Sequence, residues 1–254
     1  MEKEYEMKRF TVAASAASTL VSIVASSAFG QEEVDVLSYW AFEGLYAEGW
    51  SVDIMFGTTE VIDANSQYIG DVENVIFSNE GEVLGIIAQV SGFRDIGDTH
   101  VHVPWTEVTL SNGNQQMQVP VTEETIDNYD VFDATWGRDQ VLTESDTDGT
   151  QPVDDDLKTD SGIFKATDLI GSYAYLSDDV RYGYIADIIV QDDAISAIII
   201  DATAYGRAGY YAYPYGYDGT SPMGTARYDM PYEAAEVETI ENFDYEQLQS
   251  RVAD

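Results

Sequence analysis

The chain has 254 residues, with 47 acidic side chains against 11 basic ones, a formal net charge of −36 and no cysteine. A field that negative repels nucleic acid and anionic lipid, and the lack of thiols excludes disulfides, thiolate metal sites and cysteine nucleophiles. The length allows one large domain or two small ones.

At the N-terminus, Lys8 and Arg9 precede an apolar run from Phe10 to Phe29 that carries the small-residue cleavage sites Ser26-Ser27-Ala28 and Ala28-Phe29-Gly30. Residues 1–30 therefore read as a secretory signal peptide. Seven of the twenty residues from 10 to 29 are Ser or Thr, which suits cleavage better than retention as a membrane span. The expected location is the bacterial periplasm or the exterior, with no integral membrane segment left after cleavage. Removing residues 1–28 takes away three acids and three bases, so the mature chain keeps its charge of −36. A saline habitat explains that acidity more simply than a dedicated cationic partner does.

Further along, "DIMFGTTEVIDANSQYIGDVENVIF" (53–77) is echoed by "TDLIGSYAYLSDDVRYGYIADIIV" (167–190), with Gly57 matching Gly171 and Gly70 matching Gly183. The echo continues to Pro104 and Pro214, which predicts two copies of one small domain over residues 50–132 and 163–245. Within each copy, short runs rich in Val, Ile and Tyr are bounded by turns at 78–81 and 191–193, the signature of β-hairpins. Gly70 and Gly183 fall inside strand patterns, where glycine marks a bulge or bend. Thr122 and the acids after it predict a helix start in 121–129, and 232–252 reads as loop followed by a C-terminal helix. Between the copies, residues 143–162 are dense in Asp, Thr, Gly and Pro and lack apolar periodicity, so they read as an acidic flexible linker.

The stretch "IGDVENVIFSNEGEVLGIIAQVSGFRDIGDTHVHVPWTEV" (69–108) resembles the PRC-barrel domain, named for the photosynthetic reaction centre H subunit. The elements that carry the resemblance are Ile-Gly-x-Val-Glu-x-Val, the Gly-x-Val-x-Gly hairpin, Gly-Phe-x-x-Ile-Gly and a closing Val-Pro-Trp. The second copy keeps "ATDLIG", paired strands and "YPY", but has "AYGRAGYYAY" in place of the Gly-Phe-x-x-Ile-Gly segment. The resemblance implies an all-β fold, two small PRC-like β-barrels in tandem with short flanking helices, acting as an assembly or adaptor module. The family brings no shared catalytic residues and no cofactor.

Three groups of side chains invite a site. His100 and His102 alternate on one strand and share a face, a weak metal pattern that reads more simply as barrel-surface histidines. Glu144, Asp146, Asp148 and Asp155 fall at spacings 1, 3, 5 and 12 of a calcium loop, with Asp155 where a Glu belongs and Pro152 interrupting. Tyr205, Tyr210, Tyr215 and Tyr217 belong to a Tyr-rich stretch whose rings cannot all be core, so they are the candidate binding residues. Register with Val101 and Val103 puts Tyr211 and Tyr213 on the core face and Tyr210 on the other. The sequence thus points to a non-enzymatic periplasmic scaffold that binds another envelope protein and no nucleic acid. A calcium-responsive envelope protein, binding divalent cations weakly through its acidic surface or linker, is the alternative.

Overall fold

The structure is a computed structural model that describes residues 37–90, 99–111, 115–122, 125, 141–153, 157–216 and 226–252. The expected signal peptide, the Gly-Phe-x-x-Ile-Gly segment, Asp155 and Tyr217 lie outside those residues, as does most of the helix expected over 121–129. In chain order come α1 (Glu43–Glu48), β1 (Trp50–Ser51), α2 (Val52–Thr58), β2 (Glu60–Ile62), β3 (Tyr68–Ser78), β4 (Val83–Val90) and β5 (Thr99–Pro104). A 3-10 turn at Trp105–Glu107 leads into β6 (Thr109–Ser111) and β7 (Gln116–Gln118). Then follow β8 (Val141–Leu142), a 3-10 turn at Glu144–Asp148, β9 (Gln151–Val153), β10 (Lys158–Thr159) and β11 (Ile163–Lys165). The first sheet runs β6-β7-β2-β3-β4-β5-β9, with β11 added to β3.

The remainder comprises α3 (Ala166–Leu169), β12 (Tyr173–Tyr175), β13 (Arg181–Gln191), β14 (Ala194–Asp201), a 3-10 turn at Thr203–Tyr205, β15 (Tyr210–Pro214), β16 (Arg227–Asp229), α4 (Ala234–Val237) and α5 (Tyr245–Val252). The second sheet runs β15-β14-β13-β12-β16, with β1 added to β13. Both hairpin turns stand where turn chemistry predicts. Asp192 and Asp193 are both left-handed, at φ 53° and 62°, as a two-residue type I′ turn requires, and Gly81 takes φ 90° in the other. Gly70 and Gly183 answer to one constraint: a Cβ there would run into the carbonyl of the facing strand, Gln89 and Asp201 respectively. The described strands form open paths, so two closed six-stranded barrels are not traced here.

One core lies between the sheets. Val75, Phe77, Ile86, Val101 and Val103 enter it from the first, and Ile188, Ile198, Ile200, Tyr211 and Tyr213 from the second. Tyr211 and Tyr213 are buried and Tyr210 is 38% exposed, as the strand register required. Parts of the outer faces are covered as well: Ile189, Ala197 and Ile199 lie under Leu45 of α1, Leu248 of α5 and Phe243 just before it. On the other side, Ile76 and Ile87 lie under Leu142, Val153, Leu157 and Ile163. Burial on both faces explains why "GIIA" and "AIII" run apolar without alternation.

The segment read as a flexible linker is part of this packing. Its β9 extends the first sheet beside β5, with Pro152 opposite Val101, and its β10 pairs in parallel with β8. Asp residues dominate its composition, but Val153 and Leu157, each worth ~1.5–3 kcal/mol on burial, are spaced to cover Ile87 and Ile76. Proline, which has no N–H to donate, is tolerated because β9 ends the sheet among the described residues. Residues Val34–Asp254 accordingly form one compact unit rather than two tethered ones.

Candidate functional site

The chemistry-bearing side chains concentrate at the seam between the sheets, and short strands bring them there. Trp50 and Ser51 of β1 pair with Val190 and Ile189 of the second sheet, while Ile163, Phe164 and Lys165 of β11 pair with Ser78, Phe77 and Ile76 of the first. Each lead-in strand therefore completes the opposite sheet, and each runs directly into a short helix, α2 or α3. A bulge in the receiving strand supplies the polar group that holds this helix. Asn74 and Asp187 are the seventh residues of β3 and β13, and both sit at a register shift.

Asn74 Oδ1 accepts from the Thr167 and Val75 amides at 3.3 and 3.1 Å, and its Nδ2 donates to Thr167 Oγ1 at 2.8 Å. Asp187 does the same work for the other helix. Its Oδ1 accepts from the Asp53 and Ile188 amides at 2.9 and 2.7 Å, and its Oδ2 takes the Ser51 hydroxyl at 2.5 Å. Ser51 Oγ in turn caps α2 by accepting from the Ile54 amide at 3.0 Å. The Tyr245 hydroxyl of α5 is a further donor to Asp187. Burial pushes the Asp187 carboxyl up to about 6, against the pull of these donors, from Ser51 first and then Asp53, Tyr245 and Ile188.

The hairpin tips close the seam by the same exchange. Val83 N donates to Asp193 O at 2.9 Å and Ile195 N to Gly81 O at 2.8 Å. The Trp105 indole donates to the Asp193 carboxylate at 2.7 Å, and the Tyr215 hydroxyl to Asn79 O at 2.8 Å. Trp105 stacks on Trp50 and Tyr215 on Phe164, so each lead-in aromatic meets the ring that follows a closing proline.

The expected site residues divide. Tyr215 is a seam residue, set against Gly81, Phe164 and Tyr228. Tyr210 meets Tyr245 edge-on at 4.7 Å on the face carrying α5. Tyr205 is 37% exposed and lies 5.9 Å from the Tyr184 ring, in a surface row. Glu144, Asp146 and Asp148 occupy a 3-10 turn in which Asp146 is spent on Thr143, accepting from its amide at 2.9 Å and its hydroxyl at 2.6 Å. Those bonds hold the Asp146 carboxyl below its ordinary range. Among the described residues no group of three or more His, Asp or Glu side chains is placed to share an ion.

The histidines are not two surface residues. His100 pairs with Glu73 at 2.8 Å, whereas His102 is fully buried beneath the acidic turn, its Nδ1 3.4 Å from Gly149 O and its Nε2 packed on Gly85. Burial lowers its pKa, which keeps the ring neutral. A groove of about 350 Å³ opens elsewhere, between Leu37, Trp40 and Phe42 and the stretch Thr239 to Glu241, with Glu43 and Glu241 in its lining. No signal in the sequence marked Asn74 and Asp187 as helix holders. Their equal place in two strands could have done so, since a polar residue there interrupts otherwise apolar runs.

Residues 56–126 match the family model of the PRC-barrel domain. The match takes in one copy and does not extend to residues 163–245. No curated protein matches the chain. Among the described residues no helix is long and apolar enough to cross a membrane.

Proposed function

We propose that this protein is a non-catalytic scaffold of the bacterial envelope, in which a PRC-barrel module and a divergent second copy of it are locked into one rigid body. The reciprocal exchange of β1 and β11 is the observation that carries the reading. Corresponding positions do corresponding work across the seam: Ser51 and Lys165 precede the helices, Asn74 and Asp187 hold them, and Trp105 and Tyr215 reach across to the opposite hairpin tip. Two-domain enzymes keep a solvent-filled cleft in that place. Here it is filled by aromatic packing, and its buried carboxylate is committed to four donors. What such a body offers is outer surface of fixed geometry, the requirement for holding a partner in register. The secretory pattern of residues 1–30 supports an envelope partner.

Capture from envelope extract tests the reading with a pair of neighbouring substitutions. Tyr210→Ala removes an exposed ring and leaves the melting temperature nearly unchanged while recovery of a discrete envelope protein falls. Tyr211→Ala costs stability, by about 3–5 kcal/mol for a buried aromatic, because its ring lies under the Arg207 guanidinium and its hydroxyl donates to Ala208 O. A partner bound equally by the Tyr210→Ala protein sinks the assignment of that face, and no partner at all sinks the scaffold.

A further inference from the structure

The outer face of the second sheet is covered unevenly. α1 and α5 lie over Ile189, Ala197, Ile199 and Ala212, but β12, β16 and the start of β13 carry no helix among the described residues. Ala174, Tyr182 and Tyr228 enter the core, and a register shift that leaves Tyr182 unmatched in β13 puts Arg181 on the same open face as Tyr173, Tyr184 and Arg227. These side chains interleave. The Arg181 guanidinium lies 3.9 Å over the Tyr173 ring and donates to the Tyr175 hydroxyl, the Tyr173 and Tyr184 rings are 4.7 Å apart, and Arg227 lies 4.0 Å over Tyr175.

The first sheet has the same row in the same register, built from different residues. Where Tyr173 pairs with Tyr184 and Arg227, Glu60 pairs with Asp71 and Gln116. One row is acidic and amide-bearing, as a solvated surface in a chain of charge −36 should be. The other is aromatic and cationic, the composition that marks the energetic centre of protein interfaces, from which Asp and Glu are depleted. Charge narrows the occupant. Over most of this chain two copies repel, but on this face Arg181 and Arg227 offset Asp179 and Asp229, so approach costs less here than over the acidic row of the first sheet. Arg227 is already paired with both of those carboxylates at 2.6 Å. Arg181 has only phenol partners among the described residues, while Asp201, beside Tyr184 on the same face, is a carboxylate whose only described partner is the Thr203 amide.

We infer that this Tyr–Arg face is the contact surface for a second copy of the chain, in a two-fold pair where Arg181 of each copy meets Asp201 of the other. Self-complementarity of that kind is what an isologous interface demands. The inference does not depend on the scaffold reading. Sedimentation velocity of the full chain over a concentration series reads it directly. The expected result is a species of twice the 28.1 kDa chain mass, whose dissociation constant rises about tenfold or more in Arg181→Glu and is unchanged in Glu60→Lys on the first sheet. A single chain at every concentration overturns it, as does a dimer that Arg181→Glu leaves intact. Should Arg181→Glu fail to fold, Tyr205→Asp at the exposed end of the same row carries the same expectation.

Discussion

Four donors converge on the buried Asp187 carboxylate, and its position has a measurable cost. A carboxyl raised from 3.8 to about 6 holds in the folded state a proton that the unfolded chain releases between those values. The folded protein binds more protons in that window, so the contribution is fully present below about pH 4 and is lost as the pH rises through 6. A gap of this size corresponds to about 3 kcal/mol at neutral pH. Asn74 shows that the same geometry can be served by a neutral side chain. In chemical denaturation, the stability of the wild type relative to Asp187→Asn should therefore rise by about 3 kcal/mol between pH 7 and pH 4, and a difference that stays flat over that range rules out the buried titration. The comparison with the variant matters, because protonation of the many surface acids stabilises both proteins alike.

At the scale of elements, β1 and β11 are the pieces that make the halves interdependent. Each is too short to stand as a strand by itself, and each pairs with a strand that lies far away in the chain. Residues 34–140 and 141–254 expressed separately should give unfolded or aggregating products, and co-expression should restore a single cooperative melt. Two soluble, independently melting halves would falsify the exchange. The hairpins, their turns, the two strand glycines and the core face of Tyr211 and Tyr213 were legible in the sequence, because period-two patterning and left-handed turn residues are local signals. The exchange was not, since Trp50-Ser51 and Ile163-Phe164-Lys165 carry no periodicity and partner choice is a tertiary matter. The acidic segment misled for a related reason. Its composition is that of a solvated tether, while Val153 and Leu157 are the large apolar side chains by which its described residues join the packing. Among the site residues, the sequence drew attention to exposed Tyr205 and Tyr210, but it also picked Tyr215, which the seam consumes.

For the whole molecule, a chain of net charge −36 whose residues Val34–Asp254 form one compact unit gathers on folding like charges that the open chain keeps apart. The Debye length falls from about 10 Å at 0.1 M salt to about 3 Å at 1 M. The melting temperature should climb as potassium chloride is added over that range, and a melting temperature indifferent to salt argues that the acids are locally compensated. The exchanged strands also impose an order in time. The place beside β3 is filled by residues made roughly 85 positions later, which at ribosomal speed is on the order of 5–20 s. Throughout that wait the nascent first half offers an unoccupied edge to whatever strand comes by. Export under the signal proposed for residues 1–30 would avoid the exposure, because both halves would arrive unfolded on the far side within reach of each other.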